Sequence, residues 1–234
     1  MARLTDITLY DLFHPAEGQR HFQQRANYVG ELYLQGLGDY KPLKTSRISI
    51  DLVSEHRPPC AYRHGSIALT AQPVDTLLYD GLSDSEKLHF LLDRLHAAME
   101  YLGHAYHWDL AVLAHAYAQA KAGGLVFRVE YPEKATRGGK RRARLLLEKT
   151  VTTTRLSACI AADGQHVQAL LYQGPNLGPY DPVYAVVKHG KWLTRDAYGV
   201  HTTHPECRVW YSLPDDRVYQ ERPLASPYFP RSPF

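Results

Sequence analysis

Three cysteines, two methionines and no apolar run long enough to cross a bilayer mark what this 234-residue chain has little of. A membrane helix needs about 20 consecutive apolar residues, so no helical anchor is expected. The opening MARLTDITLY carries charge where a secretory leader needs its apolar stretch, and a cytoplasmic protein is the expectation. Cys60, Cys159 and Cys207 are odd in number and widely spaced. That suits a reducing compartment better than a disulfide framework, and the three read as buried thiols. The chain also lacks the Gly-x-x-x-x-Gly-Lys-Ser/Thr phosphate loop, the Gly-x-Ser-x-Gly elbow, a Ser-x-x-Lys signature and the compact His-Glu-x-x-His spacing of zinc peptidases. A covalent hydrolase has no support from any linear motif.

What is present is ordinary globular composition, 44% hydrophobic and 22% charged. There is no internal repeat and no linker long enough to separate a pair of domains. The expectation is a single α+β domain over residues 1–222, with 1–75 as a β-rich subdomain and a proline-rich extended or disordered tail over 223–234.

The patterning predicts antiparallel sheets, a central helical hairpin packed on one face and one short late helix. ITLYDLF and RISIDLV alternate as strands, and CAYRHGSIALT turns at His64-Gly65 as a hairpin. Glu17 to Tyr40 reads as irregular, with glycines at Gly30, Gly36 and Gly38. Ser83-Asp-Ser-Glu86 is a capping box, followed at helical spacing by Leu88, Leu91, Leu92, Leu95, Met99 and Leu102. Asp109 starts a second helix that Gly123-Gly124 ends. Beyond it the period becomes two, in LVFRVEY, RARLLLEK, TRLSACIAA, HVQALLYQ, CRVWYSL and RVYQER, with a short helix over Pro182 to His189.

Three constellations are candidates for chemistry. On the helix from about Asp84 to His107, His89, Asp93, His96, Glu100, His104 and His107 fall within a sector roughly 80° wide, a continuous polar stripe. Imidazoles and carboxylates four residues apart can bind metal, move protons or face a partner. The stripe is centred well away from the leucine face, so it also fits a solvated surface. His201, His204 and Cys207 form a second set, in which imidazole and thiolate suit zinc or another divalent metal, although no cofactor is expected outright. The third is the basic stretch Lys134 to Arg155, with eight basic residues against Glu148 alone, a local balance of +7 on a chain whose net charge is +3. Within it Lys134, Arg137, Lys140, Arg141, Arg142 and Arg144, with Gly138 and Gly139, are candidate anion ligands, and nucleic acid is a candidate partner through 134–144. The plain alternative is a charged hairpin tip.

Seventeen tyrosines and three tryptophans serve equally well as sheet core and as contact surface. In this general character, α+β, aromatic-rich and without an active-site motif, the chain resembles the immunity proteins of bacterial polymorphic toxin systems. The resemblance implies a non-enzymatic protein-binding module that inhibits a cognate toxin, with the helix stripe or the basic segment as contact surface and another protein as partner. The alternative is a metal-dependent hydrolase or nuclease that uses His89, Asp93, His96, His201 and His204, with the basic segment holding a phosphate backbone.

Overall fold

The computed structural model describes residues 3–14, 19–54, 59–203 and 206–224. The fold is α+β, and the chain gathers into two compact units, Met1–Val126 and Phe127–Phe234. The sequence pattern suggests a boundary near residue 75 and none at 126.

The first unit contains β1 (Asp6–Asp11), α1 (Gln19–Leu37), β2 (Arg47–Val53), β3 (Tyr62–His64), β4 (Ile67–Pro73), α2 (Thr76–Gly81), α3 (Asp84–Tyr106) and α4 (Leu110–Ala122). Its strands run in the order β1-β2-β4-β3. β1, β2 and β4 are mutually parallel, and only the β3–β4 hairpin at His64-Gly65 is antiparallel. Parallel neighbours need a long crossover, and α1 supplies the one between β1 and β2. Each strand alternates: Ile7, Leu9, Ile48, Ile50, Leu52 and Ala68 are buried on one face. Helix α1 lies on β1 and α3 on β4, and α3 also packs on α1 and α4 through Leu91, Leu92, Leu95, Met99 and Leu102. Burying a leucine side chain contributes about 1.5–3 kcal/mol, so this stripe is the main adhesive of the unit.

Helix α1 occupies the stretch that read as irregular. The glycines that suggested breaks are points of close approach. A Cβ on Gly30 would sit 2.6 Å from the Ile7 carbonyl oxygen, and one on Gly36 would sit 2.8 Å from Ala116 Cα. The capping box is formed as the sequence predicts: Ser83 Oγ accepts from Glu86 N–H, and the Glu86 carboxylate accepts from Ser83 N–H. Asp109 caps α4.

The second unit holds a five-stranded antiparallel sheet and a four-stranded one. The first is built from β5 (Phe127–Glu130), β6 (Lys134–Ala135), β7 (Arg141–Lys149), β8 (Thr153–Ala162) and β9 (Gln165–Pro175). After α5 (Val183–Val186) and a 3-10 turn at Val187–His189, the second follows as β10 (Gly190–Trp192), β11 (Ala197–Thr203), β12 (Glu206–Ser212) and β13 (Arg217–Arg222). Leu145, Leu147, Leu156, Ile160, Leu171, Val183, Val186, Tyr198, Val200, Val209 and Tyr211 are buried in this unit. Tyr198 and Tyr211 are therefore core.

Of the three thiols read as buried, only Cys207 is so; Cys159 is half-buried and Cys60 exposed, and all three are free. No helix of the described residues is long and apolar enough to cross a membrane. The tail beyond Leu224 lies outside the described residues.

Candidate functional site

The α3 stripe is not uniform. His96 turns inward, with its ring stacked on Tyr117 of α4 at 4.1 Å and 11°. Its Nδ1 is 2.9 Å from the Tyr33 hydroxyl of α1, which in turn donates to the Leu113 carbonyl at 3.0 Å. With that phenol proton committed, the ring's N–H sits on Nδ1 and donates to the Tyr33 oxygen. Nε2 then lies 3.5 Å from Glu100. Burial holds the His96 pKa below its ordinary value, more strongly than Glu100 and Asp93 raise it. Beside it Asp93 accepts from the Tyr117 hydroxyl at 2.7 Å and pairs with Lys121 at 3.1 Å. Burial would raise Asp93, but Tyr117 and Lys121 outweigh it and keep the carboxyl ionised at lower pH than usual. His89, Glu100, His104 and His107 remain exposed. The centre of the stripe is thus helix-packing chemistry, and its two ends are surface.

Half of the eight basic residues in the segment are answered by acids of their own unit. Arg141 pairs with Asp196 and, at 3.0 Å, with Asp163; Arg142 pairs with Glu133 at 3.4 Å, and Arg144 with Glu130 at 3.1 Å. Lys149 is buried, 3.4 Å from Asp181. Lys134, Arg137 and Lys140 form no ion pair among the described residues, and they surround the β6–β7 turn, where Gly138 and Gly139 take φ of 101° and 72°. The glycines close this turn, with Gly139 N–H donating to the Thr136 carbonyl at 2.9 Å. Three of the six candidate anion ligands therefore remain unpaired.

Of the zinc trio, His201 and Cys207 do not come together. β11 and β12 pair His201 with Arg208 and Thr202 with Cys207, so His201 and Cys207 lie on opposite faces of the sheet. Cys207 is buried, His201 is exposed, and His204 lies outside the described residues. Among the described residues no three His, Cys, Asp or Glu side chains converge to hold a metal ion.

Two arrangements escape a linear reading. His14, just past β1, bridges Asp11 at 2.7 Å through Nδ1 and Asp80 of α2 at 2.9 Å through Nε2. Both ring nitrogens face carboxylate oxygens, which requires the imidazolium form. Burial pulls the His14 pKa down, but the two carboxylates overcome it and raise it above 6.5. Phe13, Phe22 and Tyr79 pack edge-on around this clasp.

The second is a surface on α2 and the start of α3. Leu77 is 85% exposed and Leu78 55%, and Leu12, on the strand end that the clasp ties to α2, is 59% exposed. Residues 75–86 contain Asp75, Asp80, Asp84 and Glu86 and no Lys or Arg, and all four acids are exposed. The signal in the sequence was the pair Leu77-Leu78 inside an acidic stretch. Comparison of the chain with protein-family models, with curated proteins and with solved structures gives no match.

Proposed function

We propose that this chain is a non-enzymatic protein-binding module that inhibits a cationic partner protein, the mode of action that the resemblance to immunity proteins implies. The observation that carries this reading is the pair Leu77 and Leu78, 85% and 55% exposed in a 12-residue stretch bearing four exposed acids and no base. Exposed apolar side chains rimmed by charge are characteristic of protein contact sites. Asp80 is paired with His14 and Asp84 with Arg25, and Asp75 and Glu86, which form no ion pair among the described residues, supply the anionic edge that steers a basic partner, while the leucines supply the desolvated centre. Two of the groups named for the metal-dependent alternative are meanwhile engaged in packing: His96 on Tyr33 and Tyr117, and Asp93 on Tyr117 and Lys121.

The test is a photo-crosslinking residue at position 77 in the producing cell, followed by purification of the captured protein and titration against wild type and the Leu77→Asp/Leu78→Asp variant. The expected partner is basic, binds more weakly as salt rises, and loses at least about tenfold in affinity to the variant. A captured protein that binds the variant and wild type equally, or binds without salt dependence, overturns the assignment of this surface.

A further inference from the structure

The second unit contains a pocket of about 200 Å³ bounded by Tyr131, Leu145, Val187, Gly190 and Tyr198, with Lys134 and Lys188 on its lining. We propose that it binds a small organic anion, a carboxylate carried on a single flat apolar ring.

The volume decides the size of the guest. Cavities of about 150 Å³ accept benzene, so 200 Å³ suits one substituted ring, and drug-sized ligands need more. The walls decide its body. They are mostly apolar, formed by Leu145, Val187 and the rings of Tyr131 and Tyr198. Residue 190 keeps the space open: a Cβ there would come 2.5 Å from Leu145 Cδ1 and 3.2 Å from the Tyr198 hydroxyl.

The polar groups decide its charge. Lys134 and Lys188 form no ion pair among the described residues, and no acid lines the pocket. The acid adjacent in sequence, Glu133, is turned to Arg142 at 3.4 Å. The hydroxyls of Tyr131 and Tyr198 have no hydrogen-bond partner among the described residues, and burial pushes both up to about 12. They stay protonated at neutral pH and are free to donate. With Tyr131 and Tyr198 in the wall and the solvent-exposed Lys134 and Lys188 also on the lining, a carboxylate on a ring fits with its body against the apolar side and its charge toward the lysines. The wall is held in place by Trp192, whose Nε1 donates to the Lys134 carbonyl at 2.9 Å and whose ring meets Tyr198 edge-on at 5.3 Å.

The test uses benzoate and its neutral isostere benzamide with the full chain, by calorimetry and ligand-observed NMR. Benzoate is expected to bind one-to-one with a dissociation constant below about 1 mM, and benzamide at least about tenfold more weakly. The Lys134→Gln/Lys188→Gln variant, altered at two exposed positions and so expected to fold, loses at least about tenfold for benzoate and leaves benzamide unchanged. Tyr198→Phe, which keeps the ring and removes one donor, weakens benzoate by a smaller factor. Absence of saturable benzoate binding up to about 10 mM overturns the proposal. Equal binding of benzoate and benzamide, or benzoate binding indifferent to the lysine substitutions, overturns the anion assignment.

Discussion

Lys149 Nζ lies 3.4 Å from Asp181 Oδ2, and neither side chain has any exposure to solvent. The ammonium also reaches Asn176 Oδ1 at 3.4 Å and the Gly178 carbonyl at 3.5 Å, and sits 4.3 Å over the Tyr184 ring. The carboxylate in turn accepts from the Thr154 hydroxyl and, at 3.1 Å, from Val183 N–H. One strand is thereby pinned to the turn and short helix that follow β9. Removing one partner leaves the other charge buried and uncompensated, so Lys149→Met is expected to cost about 3–5 kcal/mol in urea unfolding. A loss under about 1 kcal/mol would show that the pair does little to hold the turn.

The His14 clasp makes a pH prediction of definite sign. Its folded pKa is raised above 6.5, so the stability it confers is complete below pH 6.5 and drains away as pH rises through the raised value. The melting-temperature advantage of wild type over His14→Gln should be larger at about pH 5.5 than at about pH 8.5. An advantage that stays level, or grows toward alkaline pH, contradicts the clasp.

For His96 the sign is reversed. Burial depresses its folded pKa, so its contribution is present above the unfolded value of 6.5 and is lost as pH falls through the depressed one. On acidification the advantage of wild type over His96→Gln should shrink below about pH 6.5, whereas that over His14→Gln grows above it. Two histidines of one unit that moved in the same direction would refute at least one of the two geometries.

Gly30→Ala tests the contact between α1 and β1. Alanine favours a helix over glycine by about 1 kcal/mol, but here the new methyl meets the backbone oxygen of Ile7 at 2.6 Å and no flexible side chain can yield. A net loss of about 1–3 kcal/mol is expected by thermal or urea denaturation. Gly81→Ala, with nothing within 4 Å of its Cβ, is the matched control and should be neutral or mildly stabilising.

Much of the fold was legible because its signals are local. The Ser83–Glu86 box, the Asp109 cap and the turn at His64-Gly65 each depend on residues a few positions apart, and the strand periods from Phe127 onward follow from burial of one face. Helix α1 was not legible, since Gly30 and Gly36 answer to Ile7 and Ala116, which are distant in sequence. The parallel pairing of β1 with β2 was hidden for the same reason. The partner of Arg141 in the basic run was not legible, because Asp196 stands 55 residues beyond it. The α3 stripe was correctly placed on one face, but its inward turn at His96 depends on Tyr33, 63 residues earlier. The pocket was out of reach of any linear reading, since Tyr131 and Tyr198 meet only through the pairing of separate strands and a turn.

The two close approaches along α1 bear on how kinship with this protein is to be recognised. Exposed loop residues outside the Leu77–Leu78 surface and the pocket of the second unit are free to drift, because few packing constraints bear on them. The first helix is different: backbone presses on it at position 30 and again at position 36, and a side chain at either point would separate the layers. Any chain that shares this first unit must keep the smallest residue at both places, six apart, between a strand ending in a buried aspartate and a second strand that lies parallel to it. That spacing is a fingerprint that should outlast overall sequence identity.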